Sequence, residues 1–269
     1  MLDFSDVTDY KFNSFQATLR KQLSHGFQAQ VAYTFSRGYA TDNTSNDPNR
    51  AQYGENPGYH PQRLAVSYLW NLPNVANAEG LLAKVANGWS LSGVTIVQDG
   101  TPLSVYDQRG GSIFGMGGGG LVTSRAQFCA GMGPANAGTS GGVEQRLGGA
   151  NGGPGWINVK AFCAIPTIGG VGGVGAGTIY GNSGLGILLG PGQFNWDMSL
   201  IKTTKVGGLR EDATLQFRAD FFNAFNHAQF SNPNAGNSQQ PDISLANVGQ
   251  ITSVSVNPRL IQFALKYAF

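Results

Sequence analysis

Polar and apolar side chains alternate with a period of two along much of the chain. Over residues 27–36, Phe27, Ala29, Val31, Tyr33 and Phe35 fall on one face, and Gln28, Gln30, Ala32, Thr34 and Ser36 on the other. This is the pattern of a strand whose two faces meet different surroundings. Upstream, Phe15, Ala17 and Leu19 alternate with Gln16, Thr18 and Arg20, and Ser24-His25-Gly26 between the runs reads as a tight hairpin turn. A third strand over 63–72 sets Leu64, Val66, Tyr68, Trp70 and Leu72 against Arg63, Ala65, Ser67 and Asn71.

A fourth, from Trp89 to about Asp107, alternates poorly; Gly100-Thr101-Pro102 predicts a bulge or bend in it, and its faces stay unassigned. Three further strands follow. In them Phe194, Trp196, Met198 and Leu200 alternate with Asn195, Asp197 and Ser199, and Leu215, Phe217, Ala219 and Phe221 with Thr214, Gln216, Arg218 and Asp220. The last sets Ile261, Phe263, Leu265, Tyr267 and Phe269 against Gln262, Ala264, Lys266 and Ala268.

The connections alternate as well. Residues 23–26, 73–88 and 206–212 are short to moderate, whereas 37–62, 108–193 and 224–258 are long and rich in Gly, Asn and Pro. Outer-membrane barrels keep short turns on the periplasmic side and long loops outside. With a periplasmic C-terminus, all three long loops fall on the outer side.

Composition narrows the class. Glycine takes 40 of 269 positions, against a usual share of about 7%. Charged residues are 12% and the net charge is +2, with no basic stripe, so a nucleic-acid partner is set aside. No run reaches the length of an apolar helical span, and Met1-Leu2-Asp3-Phe4 opens no signal peptide. A membrane protein without spanning helices must be a closed barrel, because no other structure satisfies the backbone in lipid. A soluble β-sandwich alternates in the same way. The length of 108–193 and the aromatic residues on the apolar faces favour the barrel. The expected fold is therefore all-β: residues 1–269 form an antiparallel transmembrane β-barrel segment, seven long strands of a larger barrel, with long Gly-rich extracellular loops.

The last ten residues, Leu260-Ile-Gln-Phe-Ala-Leu-Lys-Tyr-Ala-Phe269, resemble the C-terminal assembly signal of outer-membrane barrels. That resemblance implies recognition of Phe263, Leu265, Tyr267 and Phe269 by the barrel-assembly machinery. Gly190-Pro-Gly-Gln-Phe-Asn-Trp-Asp-Met-Ser-Leu200, Leu215-Gln-Phe-Arg-Ala-Asp-Phe-Phe-Asn-Ala-Phe-Asn-His227 and Asn257-Pro-Arg-Leu-Ile-Gln-Phe263 resemble TonB-dependent receptors that carry an N-terminal carboxypeptidase-regulatory-like domain. Tyr10 to Arg37 and Gly88-Trp-Ser-Leu-Ser-Gly93 fit the same group. The resemblance implies a barrel of about 22 strands filled by a plug. It also implies TonB-energised uptake of an unidentified solute in the bacterial outer membrane. On that reading the chain is a fragment, with plug and signal peptide absent and TonB engaged through the missing N-terminal part. The alternative is a structural or adhesive barrel that binds a partner through its long loops.

Other chemical signals are weak. His25, His60 and His227 lie in different turns or loops without metal-ligand spacing, and Gly170-Val-Gly-Gly-Val-Gly175 lacks the lysine and the strand–helix setting of a phosphate loop. No catalytic arrangement is indicated, so neither enzyme activity nor a cofactor is expected. Gln16, Thr18, Arg20, Gln28, Gln30, Arg63, Arg218 and Asp220 are candidates to face the lumen, with solvation or mutual pairing as the plainer role. Cys129 and Cys163, both in the long loop 108–193, suggest a disulfide in an oxidising compartment. It would contribute about 3–4 kcal/mol on the chain-entropy model; free thiols are the alternative. Between them, 156–162 reads as a short extracellular strand.

Overall fold

The computed structural model describes residues 9–41, 53–56, 58–75, 80–107, 124–165, 181–206, 213–233 and 241–269. The opening Met1-Leu2-Asp3-Phe4 and the Gly170–Gly175 run lie outside them.

Seven long strands are described: β1 (Tyr10–Ser24), β2 (Phe27–Thr41), β3 (Gln62–Asn71), β4 (Trp89–Gln98), β5 (Gln193–Lys205), β6 (Thr214–Phe222) and β7 (Leu260–Ala268). They pair in chain order, each antiparallel to the next, and a short strand, Tyr53–Glu55, pairs with the far end of β2. The sheet is open, with β1 and β7 as its edges.

The β1–β2 turn has positive φ at both His25 (52°) and Gly26 (77°), as a two-residue hairpin matched to strand twist requires. Gly26 is needed for a second reason. Its carbonyl accepts the Asn71 N–H at 2.7 Å, and a Cβ there would stand 2.7 Å from the Asn71 carbonyl oxygen. The hairpin end is thereby fastened to the end of β3.

Residues directly opposite in an antiparallel pair share a face, so the register fixes both faces of the sheet. Leu19 faces Val31, which faces Val66; Tyr68 faces Gly93, which faces Met198; Phe221 faces Met198 and Ile261. One apolar face thus runs unbroken from β1 to β7. The opposite face carries Arg20 against Gln30, Arg63 against Gln98, Gln98 against Gln193, and Asp220 against Ser199 and Gln262.

The register also assigns β4, whose sequence alternates poorly. Trp89, Leu91, Gly93, Thr95 and Val97 lie on the apolar face, leaving Val94 and Ile96 among the polar side chains of Asp197 and Asn195. Gly93 explains part of the weak alternation. A Cβ there would sit 2.5 Å from the Tyr68 hydroxyl, whose ring covers the glycine, and that hydroxyl accepts the Trp196 indole N–H at 3.0 Å. The Tyr68 ring from the neighbouring strand fills the gap in β4, and Trp196 from the other neighbour holds its hydroxyl.

Several boundaries differ from the sequence reading. β2 continues through residues 37–41, which the sequence places in a loop, because Tyr10–Asn13 of β1 pairs with 37–40 on one side and Tyr53–Glu55 returns to pair with 39–41 on the other. β4 stops at Gln98 rather than near Asp107. Pro102–Leu103 pairs with Leu188–Leu189, and Tyr106–Asp107 with Ser124–Arg125. The connection 73–88 holds a short helix, α1 (Gly80–Ala86), built from the helix-favouring Leu81, Leu82, Ala83 and Lys84.

The described parts of 108–193 are packed rather than irregular. Leu103, Val105, Ala126, Phe128, Trp156, Ile157, Phe162 and Ile251 form one buried apolar cluster beyond the strand ends. Residues 156–162 are not a single strand: Ile157 makes an isolated bridge to Gly138, Val159–Ala161 is a 3-10 turn, and Phe162–Cys163 pairs with Gln127–Phe128. Glycine and small residues let the backbone coil tightly enough to bury these side chains without regular strands.

The face assignment predicts an asymmetry between neighbours. Val31→Lys should lower the stability of the membrane-inserted protein by about 2–4 kcal/mol, while Gln30→Lys should be tolerated. Urea midpoints in lipid vesicles check this, and equal losses would contradict the assignment.

Candidate functional site

The sequence-predicted polar residues share one face but do not converge on one point. Gln16, Thr18 and Arg20 oppose Thr34, Ala32 and Gln30, Gln28 opposes Leu69, and Arg63 lies between Thr34 and Gln98. Toward the other edge of the sheet, on the same face, Arg218 Nε pairs with Asp220 at 2.7 Å, and the Ser199 hydroxyl donates to the same carboxylate. Arg218 is half exposed, so this pair contributes little stability. These residues form a polar lining.

A denser arrangement lies where the polar face meets the folded long connections. His60 Nδ1 contacts the Asp99 carbonyl at 2.7 Å; since a carbonyl cannot donate, the proton sits on Nδ1, and Nε2 accepts from the Gln98 amide at 3.2 Å. The same amide donates to Gln193 Oε1 at 2.7 Å, Gln193 Nε2 to the Ser255 hydroxyl at 2.8 Å, and that hydroxyl to the Gln229 carbonyl at 3.2 Å. The Gln229 side-chain amide meets His227 Nδ1 at 2.8 Å. His60 and His227, isolated in sequence, are joined by this network. Nothing in their spacing signals it, because the links are made by strand register.

Beside the network is a cavity of about 330 Å³. His60, Thr101, Gln193, Asn232 and three serines, Ser231, Ser253 and Ser255, supply its polar lining; Phe230 and Pro191 supply the apolar part. Among the described residues, the lining contains no carboxylate, lysine or arginine. Such a wall suits a solute held by neutral hydrogen bonds and an aromatic face.

The sequence profile of the outer membrane beta barrel domain matches residues 2–262. The chain belongs to that family. It is an all-β barrel protein of the bacterial outer membrane, and in such a barrel the apolar face meets lipid and the polar face lines the interior. Comparisons with curated proteins and with solved structures return no match. Among the described residues, no helix is long and apolar enough to cross a membrane and no group of three His, Cys, Asp or Glu residues could hold a metal ion.

At one end of the wall, the strands give way to the long connections through Phe222-Asn-Ala-Phe-Asn226. β5 extends beyond the end of β6, which leaves backbone groups of β5 without a strand partner on that side. The Ala224 N–H donates to the Trp196 carbonyl at 2.8 Å, and the Asn223 N–H to the side-chain carboxylate of Asp197 at 2.8 Å. Buried Gln229 completes the edge: its Oε1 accepts the Phe194 N–H at 2.6 Å while its Nε2 donates to the Phe194 carbonyl. A side-chain amide thus substitutes for the missing strand.

Asn223 organises this turn. It is buried, with φ 48°, accepts the His227 N–H and donates to the carbonyls of His227 and Asn257. Phe225 is directed to the apolar face, edge-on to Trp196 with centroids 5.1 Å apart.

The packed connections are closed by a Cys129–Cys163 disulfide, with Cα atoms 4.9 Å apart, next to the stacked rings of Phe128 and Phe162. Arg146 lies over the Trp156 ring at 3.6 Å and donates to the Thr139 carbonyl at 2.5 Å. Burial lowers the pKa of its guanidinium from the ordinary value. The four residues of the expected assembly signal sit elsewhere. Phe263, Leu265 and Tyr267 oppose Ala219, Phe217 and Leu215 on the apolar face, and Phe269 follows β7 with its ring 5.6 Å from that of Tyr267.

Asn223→Ala should destabilise the folded barrel by about 2–4 kcal/mol, through unpartnered buried groups and an alanine at positive φ. Asn223→Gly keeps the backbone freedom and should cost about 1 kcal/mol less. Denaturant midpoints of both variants test this; a loss under about 1 kcal/mol for alanine would contradict the role.

Proposed function

We propose that this chain forms wall and mouth of an outer-membrane receptor that admits a solute with energy delivered through TonB, and that it performs no catalysis and uses no cofactor. The observation that carries this reading is the cavity of about 330 Å³ between the polar face and the inward-folded connections, whose described lining is uncharged. It lies where an entering solute would first meet the barrel interior, and its size and mixed lining fit a small ligand or part of a larger one. The TonB-dependent step is supported by the resemblance of the segments ending at Leu200, His227 and Phe263, and TonB would be engaged by a part of the protein other than this wall. Phe263, Leu265, Tyr267 and Phe269 are assigned to recognition by the barrel-assembly machinery. An edge strand must pair to enter lipid, and these apolar side chains mark which face of β7 meets it.

The test uses the full-length protein in cells. Depletion of solutes from the medium is followed by mass spectrometry for wild type, for a Ser255→Trp variant that fills the cavity, and for cells lacking TonB. The reading predicts a solute consumed by the wild type and spared in both other cases, at equal levels of folded protein. Surface binding without uptake, unchanged by loss of TonB, would instead identify a structural or adhesive barrel.

A further inference from the structure

We propose that α1 is a membrane-interface helix, seated on the lipid-facing side of the barrel and inserting Leu81, Leu82 and Val85 into the phospholipid leaflet at the short-turn end.

The placement follows from what holds the helix. Its final carbonyls have no partner within the helix and need donors from outside. The Trp89 indole N–H donates to the Val85 carbonyl at 2.9 Å, the Thr204 hydroxyl to the Lys84 carbonyl at 3.3 Å, and the Lys202 ammonium to the Asn87 carbonyl that follows the helix. All three donors lie on the apolar face: Trp89 is opposite Lys202, Lys202 opposite Phe217, and Thr204 opposite Leu215. The helix therefore hangs on the outside of the wall, not under the lumen. The Thr203 N–H adds a bond to the Gly88 carbonyl at 2.9 Å.

The outward side of the helix is apolar. Leu81, Leu82 and Val85 are 78%, 66% and 58% exposed, and their spacing puts them on one side of a single helical turn. Exposed leucines on a seven-residue helix would be poorly placed in water. On the same side of the sheet as the three donors, Trp70, Leu91 and Leu200 already face lipid.

The basic residues fit the same occupant. Lys84 is exposed beside the leucines, and Lys202 stands on a lipid-facing strand with its ammonium 5.8 Å from the Trp89 ring. A lysine on that face is costly at mid-membrane and nearly free of cost at the interface. There the stem can lie in acyl chains while the ammonium reaches carbonyls and lipid phosphate. An apolar edge with flanking lysines is complementary to phospholipid, whereas a soluble partner would have to cover Leu81 and Leu82 at the lipid boundary itself.

The test is fluorescence quenching on the full-length barrel in vesicles of phosphatidylethanolamine and phosphatidylglycerol. Single cysteines at positions 81, 82 and 85 carry bimane, the native cysteines being joined to each other. Bimane at all three positions should lose most of its emission to nitroxide-bearing lipids and little to iodide. Trp89→Phe keeps the ring but removes the donor to Val85; it should raise iodide quenching at position 81 while the heat-modifiable folded band is unchanged. Quenching by iodide and not by lipid nitroxide in the wild type would overturn the proposal. Shielding from both quenchers would also overturn it, because a second copy or another protein would then cover the helix.

Discussion

Backbone hydrogen bonding without water is the constraint on which this structure rests. In the hydrocarbon region each N–H and C=O must find a partner within the protein, so adjacent strands must stay in continuous ladders. A ladder permits only a few registers, and a shift of one residue would turn every apolar side chain of a strand to the interior. The registers of the six successive strand pairs bring the apolar face of each strand into line with that of the next. Even Gly93 obeys this constraint, because the space above it is taken by the Tyr68 ring, whose hydroxyl accepts the Trp196 indole N–H.

The same requirement shapes both ends of the wall, where ladders stop. At the end that carries the long connections, β5 outruns β6, and Asn223, Ala224 and the Gln229 amide take over its open edge. The residues that satisfy the edge draw the connection inward, and they bring Ser255 and Phe230 over Gln193 to make the cavity. At the short-turn end the unpaired groups belong to α1, and Trp89, Lys202 and Thr204 reach them from the lipid side. Candidate binding surface and membrane contact are both consequences of how terminal carbonyls and amides are satisfied.

Strand faces were legible wherever the two surroundings differ strongly, as in Phe27 to Ser36 and Leu215 to Phe221. β4 was not legible, since its neighbours compensate for Gly93 and Thr95 on the apolar face and tolerate Val94 and Ile96 on the polar one. Helix α1 is too short to establish a helical period. The buried cluster beyond the strands draws Leu103, Phe128, Trp156 and Ile251 from distant positions with no shared repeat, so no local pattern announces it. For the site, polar lining residues such as Arg63 and Arg218 followed from alternation. His60, Gln98, Gln193 and Gln229 converge through register and loop packing, which single-sequence spacing does not contain.

The claim that register, and not the hydropathy of individual residues, sets the faces is tested most directly on β4. In the full-length barrel in vesicles, spin labels at successive positions from Ser90 to Val97 would be compared for accessibility to oxygen, concentrated in lipid, and to an aqueous nickel chelate. The account predicts oxygen access at Leu91, Thr95 and Val97, and nickel access at Ser90, Val94 and Ile96. Lipid exposure of Val94 and Ile96, with Thr95 in water, would contradict it.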